Sequence, residues 1–275
     1  MSDALFVPDG DGYLATEWSR GGWDDNLLHG GPPAGLMAWA IERHPTPVAM
    51  HLARVTFDLF RPIPLTRLHI DVTTLRAGRR IQVDRATLSH DGSILANAIA
   101  LRIRQTSVVL EDVVREPWQP PGLPETHPHL EWMQPWSADR LTRYHRTTVE
   151  TRSVDRSMEN RGPGTAWHRL TVPVVAGEDT SPTVQACAIA DMLNGVSQTL
   201  STNSWVYVNP DITVYMNRAP LSDWIGIQGH SDPHAGGIGV NQGILFDTTG
   251  RFGAVAMAQL IEPARHRPPG FADEA

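Results

Sequence analysis

Apolar and polar positions in the first half of the chain follow two different periods. From Ala34 to Arg43 the residues are mostly apolar, and Ala, Leu and Met favour a helix. Two prolines before this stretch suit a first helical turn, and Pro45 and Pro47 end the helix. The residues that follow alternate between apolar and polar, with turn residues between the runs, which is typical of antiparallel strands. The predicted strands are His51–Phe60, Arg67–Leu75, Arg80–Ser89 and Ser93–Gln105.

The second half of the chain shows the same order of elements. Ser181 is a favourable N-cap and Pro182 a favourable first helical residue, so a helix is predicted through Leu193, ending near Gly195. One strand is predicted before this helix and four after it. These strands are Trp167–Val175, Trp205–Asn217, Trp224–His230, Ile238–Phe246 and Phe252–Glu262.

A sequence repeat accounts for this common order. Segment Val55–Pro64 matches segment Ile212–Pro220, and their shared arginine lies 157 residues farther on in the second copy (218 − 61 = 157). The turns at Gly92 and Gly250 match with an offset of 158 (250 − 92 = 158). Solenoid repeats are shorter and more numerous than these two copies. The repeat therefore suggests a fused dimer, in which each half can lose what the other supplies.

The repeat also sets the predicted domain organisation. We expect an N-terminal module over residues 1–115, a linker rich in proline and histidine over 116–140, a C-terminal module over 141–263 and a tail over 264–275. Each module consists of one largely apolar helix and an antiparallel meander. A sheet wrapped around such a helix buries the apolar faces of both elements. The predicted fold class is therefore α+β.

Composition excludes several classes of function. The chain has 275 residues, of which 41% are hydrophobic, and its net charge of −7 comes without any run of Lys and Arg, so no nucleic-acid partner is expected. A single cysteine excludes an internal disulfide and a multi-cysteine metal site. No signal peptide and no apolar run long enough to span a bilayer are visible. We expect a cytoplasmic globular protein.

Two features of the sequence point to chemistry. The first is His29-Gly30-Gly31 before the first helix, where glycines allow close approach and a helix N-terminus offers unpaired N–H groups. Such a turn can stabilise an oxyanion, although on its own it is more often only a tight turn. The second is Asp191, a carboxylate in an apolar helix with small residues one turn away on each side. A charge there must be paired, exposed or functional.

The helix-and-meander units, the glycine turn and the lone acid resemble the hotdog fold with two copies in one chain. The family that the chain resembles is the acyl-CoA thioesterase II family, over nearly the whole chain apart from linker and tail. The resemblance implies a double hotdog, in which two tandem modules each wrap an antiparallel sheet around a central helix. It also implies an enzyme of lipid metabolism that hydrolyses an acyl-CoA thioester to free acid and CoA.

The resemblance further implies one complete site and one incomplete site. Single-domain hotdog thioesterases resemble one another in a His-Gly-Gly turn with an acidic residue eight positions after the first glycine. Eight positions after Gly30 stands Ala38, and eight before Asp191 stands Thr183, so each half lacks one part. In hotdog dimers the turn and the acid of a site come from opposite subunits. Glu42 is an alternative acid, although a solvated glutamate at a helix end explains it more simply.

In the acyl-CoA thioesterase II family, three polar residues of the second half hold a water. Asp191 and Gln259 match two of them, and the first half has Leu101 where the second has Gln259 (259 − 158 = 101). The third is usually Thr or Ser, but Asn209 stands there, and Thr213 is a nearby alternative. Gln259 can otherwise be a solvent-facing amide and Asn209 part of a turn.

The resemblance implies a mechanism that needs no cofactor and no metal. Ionised Asp191 accepts a proton from a water that Gln259 and Asn209 orient, and the water attacks the thioester carbonyl. The Gly30 amide, helped by Gly31, stabilises the oxyanion. Direct nucleophilic attack by Asp191 is the alternative.

Further residues are predicted to bind the substrate. His29 and Gly31 belong to the glycine turn, and Arg76, Arg79 and Arg80 cluster at a first-half hairpin, where they suit the phosphates of CoA. A solvated hairpin tip explains these arginines equally well. Because hotdog sheets usually pack on one another, we expect a homo-oligomer.

Two other functions stay open on sequence grounds. A hotdog enoyl-CoA hydratase would need a placed Asp/His pair, and the spacing of Asp84 and His90 is reminiscent of one, but both lie on a predicted sheet hairpin. A non-catalytic acyl or CoA binder is the other possibility, since a fold does not fix a function.

Overall fold

The computed structural model of the chain describes residues 3–22, 24–111, 118–130, 141–155, 161–202 and 204–264. Its helices are α1 (Gly31–Arg43), α2 (Pro182–Ile189) and α3 (Leu193–Val196). Its strands are β1 (Phe6–Asp9), β2 (Gly12–Ala15), β3 (Met50–Leu59), β4 (Arg67–Arg76), β5 (Ile81–His90), β6 (Ser93–Arg104), β7 (Val149–Ser153), β8 (Gly164–Leu170), β9 (Trp205–Val208), β10 (Asp211–Met216), β11 (Ile225–His234), β12 (Ile238–Asp247) and β13 (Gly250–Pro263).

These strands form one antiparallel sheet. Its order is β1-β2-β4-β5-β6-β3-β10-β13-β12-β11-β8-β7, and β9 pairs with the end of β13. Outward from the centre, the order β3-β6-β5-β4-β2 in the first half has the same connectivity as β10-β13-β12-β11-β8 in the second. The two halves of the chain therefore have the same topology, as the sequence repeat predicts.

The halves join at the β3–β10 pair, called the seam below. Thr56 lies opposite Thr213, 157 residues farther on (213 − 56 = 157), and Thr213 Oγ1 donates a hydrogen bond to Thr56 Oγ1 at 3.1 Å. On one side of this pair Val55 lies opposite Val214, and on the other Phe57 lies opposite Ile212. Ile212 is the repeat counterpart of Val55 (55 + 157 = 212), and Val214 is that of Phe57 (57 + 157 = 214). The two pairs are thus exchanged by the repeat, so the seam has approximate two-fold symmetry.

The central helices are buried where the sheet wraps around them. Helix α1 contacts α2 and strands β3 to β6, and α2 contacts β8 and β11. Every residue of α2 from Thr183 to Ile189 is buried. Each fully buried Leu, Ile or Met contributes about 1.5–3 kcal/mol of transfer free energy. This burial confirms the prediction that the largely apolar helices are buried against the sheet. Within the described residues, none of the helices is both long and apolar enough to cross a membrane.

Most predicted elements are confirmed to within a few residues. The first-half helix begins at Gly31, three residues before the apolar run, because Pro32 and Pro33 belong to its first turn. The sequence pattern missed β1, β2 and β7, which are short. Residues 116–117 and 131–140 of the predicted linker, and all of the predicted tail after residue 264, lie outside the described residues.

Two predicted elements of the second half are interrupted. The helix expected to reach Leu193 ends at Ile189 and continues as a 3₁₀ turn, Ala190–Met192. Tyr144 donates a hydrogen bond at 2.7 Å to the Ala188 carbonyl, the acceptor that an unbroken helix offers to the Met192 N–H. The long strand expected after it breaks at Asn209-Pro210, since proline cannot donate to a ladder.

The strand expected at Trp167–Val175 is displaced. Strand β8 spans Gly164–Leu170, and the residues after it turn toward the N-terminal segment. There Leu5 and Phe6 donate backbone hydrogen bonds, both of 2.9 Å, to the carbonyls of Pro173 and Val174.

Candidate active site

The 3₁₀ turn carries Asp191 to a point where the two halves of the chain meet. His29 Nδ1, from the first half, lies 2.7 Å from Asp191 Oδ2. Asn209 Nδ2, from the strand break in the second half, donates to Asp191 Oδ1 at 2.8 Å. Asp191 is 7% exposed, so its carboxylate is ionised only because these donors replace water.

The glycine turn touches the same carboxylate. A Cβ on Gly30 would lie 2.8 Å from Asp191 Oδ2 and 3.3 Å from Leu59 Cδ1. At Gly31 a Cβ would lie 2.3 Å from the Ala188 carbonyl oxygen. Both glycines are therefore required for close approach, and the structure brings the turn and the acid together.

The proton between His29 and Asp191 can be placed by chemistry. An ionised carboxylate can only accept hydrogen bonds, so at 2.7 Å the proton lies on His29 Nδ1. A protonated nitrogen cannot also accept from the Gly31 N–H, although the two atoms are 3.3 Å apart. The Gly31 amide therefore serves Asp191, whose pKa it helps to lower. The Gly30 N–H makes no hydrogen bond within the part of the chain that the structure describes.

The electrostatic balance keeps Asp191 charged and keeps His145 and Tyr144 neutral. Burial raises the pKa of Asp191, but the His29 charge and hydrogen bond, with Asn209 and Gly31, outweigh burial and lower that pKa. Burial, with His29 and Arg143 nearby, lowers the pKa of His145 to about 3. Burial and then the Asp191 charge raise the pKa of Tyr144. At neutral pH Asp191 is thus a carboxylate near the neutral imidazole of His145 and the neutral phenol of Tyr144.

A chain of side-chain amides supports Asn209. Asn194 Nδ2 donates to Asn209 Oδ1 at 2.7 Å, and Gln259 Nε2 donates to Asn194 Oδ1 at 2.7 Å. Asn241 Nδ2 also donates to Asn194 Oδ1, and Ser231 Oγ donates to Gln259 Oε1 at 3.2 Å. Along this chain each amide donates to the next one nearer to Asp191. The Asn209 oxygen is therefore occupied by Asn194, and its NH₂ group faces the carboxylate.

Sequence reasoning missed Asn194, Asn241 and Tyr144. Asn194 stands one turn after Asp191 on the helical segment, and a polar residue at that spacing was the one available signal. Asn241 on β12 and Tyr144 reach the site only through tertiary packing.

The remaining polar candidates fall into two groups. Gln259 is 5% exposed and belongs to the amide chain, so the alternative of a solvent-facing amide is wrong. It is three hydrogen bonds away from Asp191. Thr213 lies at the seam, bonded to Thr56, and not in the group around Asp191. Glu42 is exposed and accepts a hydrogen bond from Ser181 Oγ at 2.7 Å.

The arginine cluster lies at the other end of the seam. The Arg104 N–H donates to the Arg80 carbonyl, and Arg104 is paired with Met50, the first residue of β3. Leu59 is the last residue of β3, and its side chain lies next to Gly30. The Leu59 N–H donates to the Pro210 carbonyl at 2.8 Å. Ten residues of strand span about 30 Å. Arg76, Arg79 and Arg80 are therefore not brought to the group around Asp191.

Comparisons with known proteins bear on this site. Residues 19–103 match the model of the acyl-CoA thioesterase N-terminal domain, and residues 116–260 match that of the acyl-CoA thioesterase C-terminal domain. No curated protein matches the chain.

Solved structures that are similar to this one cover almost all of it. A hot dog fold protein of unknown function from Alicyclobacillus acidocaldarius has a TM-score of 0.70 at 17% identity, covering 97% of each chain. A putative thioesterase from Novosphingobium aromaticivorans has a TM-score of 0.68 at 19% identity, covering 93% of this chain and 98% of its own. An acyl-CoA thioesterase II from Mycobacterium marinum has a TM-score of 0.64 at 16% identity, with coverages of 93% and 98%. At these identities the likeness establishes a hotdog-type fold.

Proposed function

We propose that this chain hydrolyses acyl-CoA to free acid and CoA at Asp191. The chain belongs to the acyl-CoA thioesterase family and is therefore a thioesterase. The observation that carries the proposal is the contact between Asp191, from the second half, and the turn at Gly30, from the first. A base and an amide donor then flank one point, as attack on a thioester carbonyl requires.

The proposed architecture is a double hotdog. Two tandem modules, over residues 1–115 and 141–263, share one sheet through the seam, with the linker over 116–140 between them and the tail over 264–275 after them. The symmetric register at Thr56 and Thr213 supports this division. Self-association into a homo-oligomer stays a prediction.

In the first proposed step, Asp191 accepts a proton from a water that attacks the thioester carbon. The two carboxylate oxygens together have four lone pairs, so the contacts to His29, Asn209 and the Gly31 amide leave one for a water to donate to. Asn209 holds the carboxylate in place while the proton moves. Its amide replaces the hydroxyl that the family pattern has there.

In the second proposed step, negative charge on the carbonyl oxygen is stabilised at the glycine turn. The Gly31 amide is already engaged by Asp191, so the Gly30 N–H is the available donor, and His29 lies at the same turn. The oxyanion then collapses, the carbon–sulfur bond breaks, and CoA leaves as a thiolate that needs no strong acid. One lost oxyanion donor typically costs about 10²–10³-fold in rate.

Gln259 has an indirect part in this proposal. It donates to Asn194, which in turn fixes Asn209 against Asp191. Asn194 and Gln259 are therefore proposed as positioning residues, and the prediction that Gln259 itself contacts the water stays untested.

The test is hydrolysis of a panel of acyl-CoAs of increasing chain length, followed with a thiol reagent. Asp191→Asn keeps the shape of the side chain and removes the base, so we expect kcat to fall about 10²–10⁴-fold. Asp71→Asn, at an exposed position on β4, is the matched control and should retain full activity.

Unchanged hydrolysis by Asp191→Asn would rule out the mechanism. If no acyl-CoA releases thiol but an enoyl-CoA is hydrated, the lyase alternative is correct. Tight binding without turnover would instead identify a binder.

A further inference from the structure

A surface groove lies beside the glycine turn, and the mechanism does not use it. Its volume is about 760 Å³, within the range of about 300–1,000 Å³ that is usual for ligand sites. It is lined by Phe60, Arg61, Pro62, Pro64, His90, Asp91, Ser93 and Leu95.

The groove begins one residue beyond the Asp191 end of the seam. Phe60 directly follows Leu59, whose side chain contacts the Gly30 position. The loop after Phe60 is tied to the segment before the glycine turn, because the Leu28 N–H donates to the Ile63 carbonyl at 2.8 Å. A molecule whose thioester is held at Gly30 can therefore extend over this loop.

Arg61 differs from its counterpart in the other half. Arg218, 157 residues later, donates to both oxygens of Asp247, at 2.6 and 2.9 Å, and to Thr249. Arg61 is exposed and has no ion-pair partner among the residues that the structure describes. The same motif thus uses its guanidinium for structure in one copy and leaves it available in the other, at the end of the seam that carries Asp191.

The residue next to Arg61 is an exposed aromatic ring. Phe60 is 54% exposed, and the corresponding position of the second half is Asn217 (217 − 157 = 60). An exposed ring offers a flat apolar face on which a purine base can stack. Asp91 is the one carboxylate of the groove, and His90 Nε2 lies 3.3 Å from it.

We propose that the Phe60–Arg61 groove binds the nucleotide end of coenzyme A, with Arg61 on its phosphates and Phe60 under its adenine. This assignment rests on the proposed function, because it takes the thioester to react at Asp191. Arginine suits the task because its planar guanidinium matches the oxygens of a phosphate. The arginines at the distant hairpin are then not the phosphate site.

The experiment compares two thioesters with the same acyl group, one on CoA and one on N-acetylcysteamine, which lacks the nucleotide. For Arg61→Ala we expect KM for the acyl-CoA to rise about 10- to 100-fold, as for a lost charge-assisted hydrogen bond, with KM for the short thioester unchanged. Phe60→Ser should act in the same direction by a smaller factor. Arg79→Ala, at the distant hairpin, is the control and should leave both KM values unchanged.

Three results would overturn the assignment. The first is an unchanged KM for acyl-CoA in Arg61→Ala. The second is a rise of KM in Arg61→Ala that is equal for both thioesters. The third is a rise of KM for acyl-CoA in Arg79→Ala alone. If the wild-type protein hydrolyses neither thioester, the proposed function fails, and calorimetric binding of free CoA decides the groove separately. Weaker CoA binding by Arg61→Ala than by Arg79→Ala then supports the groove, and equal binding overturns it.

Discussion

The two ends of the seam each bury a carboxylate, but they hold it in different ways. At one end Asp191 is bound by His29, whose side chain is 19% exposed, and by Asn209. At the other end Asp84 is fully buried, with Arg102 Nε 3.0 Å from its Oδ2. Gln82 Nε2 and Thr74 Oγ1 donate to Asp84 Oδ1 at 3.0 and 2.8 Å.

The two environments occupy corresponding places in the fold. Thr74 lies opposite Asp84 on β4 and β5, and Ser231 lies opposite Asn241 on β11 and β12. Both members of the second pair are 157 residues beyond those of the first (231 − 74 = 157; 241 − 84 = 157). In one half the charge is on the sheet, and in the other the sheet carries an amide and the charge is on the helix.

Two features make the carboxylate of Asp191, but not that of Asp84, available for chemistry. Asp84 is paired with a guanidinium, and the N-cap of the second-half helix is Ser181, where that of the first-half helix is Gly30. Asp191 touches a partly exposed imidazole and an open backbone turn. Burial is common to both groups, so access and the type of partner distinguish the proposed site from an ion pair that holds the sheet.

The largest expected effect concerns Asp84. Asp84→Asn leaves Arg102 buried without its counter-charge, so we expect the free energy of unfolding to fall by about 3–5 kcal/mol. Denaturant unfolding measures this loss, and kcat at a temperature where the variant is folded should be unchanged. Replacing Asp84 and Arg102 together by Leu should recover most of the stability. A strong loss of kcat in folded Asp84→Asn would show that Asp84 also takes part in the reaction.

A smaller effect is expected on the pH dependence at the other end. The pKa of Asp191 is lowered below its usual value, so activity should persist as pH falls until that lowered pKa is reached. His29→Gln removes the strongest contribution that lowers it, and burial then raises the pKa of Asp191. The acid limb of the kcat/KM profile should therefore move to higher pH. An acid limb in the wild-type position would show that His29 does not hold the charge of Asp191.

The smallest expected effect lies between the two ends. Thr213→Val leaves the Thr56 hydroxyl without its partner, which should cost about 1 kcal/mol in thermal or denaturant unfolding. The double variant Thr56→Val/Thr213→Val should be close to neutral, because both polar groups are then removed. Activity should not change in either variant. A loss of activity in either one would mean that the seam couples directly to the site.

Much of the fold follows from the sequence, because alternation and helix signals are local. The strands of the two meanders agree with their predicted bounds to within a few residues, and the repeat predicts their common order. The break in α2 could not be predicted, since it depends on Tyr144, which lies 44 positions before Ala188 in the chain. The break before β10 was also missed, because the predicted strand Trp205–Asn217 ran through Pro210.

The site was predictable only in part. Counting eight positions from Gly30 and back from Asp191 predicted that turn and acid belong to opposite halves, and the structure brings these two residues into contact. Asn194 and Asn241 could not be found, because amides of a helix and a distant strand meet only after packing. The position of the arginine hairpin depends on strand direction at the seam, which the repeat alone does not fix.

The seam also couples the unfolding of the two halves. Strands β3 and β10 each lie between two neighbours, so a separated half would expose an unpaired strand edge that readily recruits other chains. Each half would also carry either the glycine turn or the acid, but not both. Heating should therefore give a single cooperative transition in which loss of the fold and loss of the reaction centre coincide.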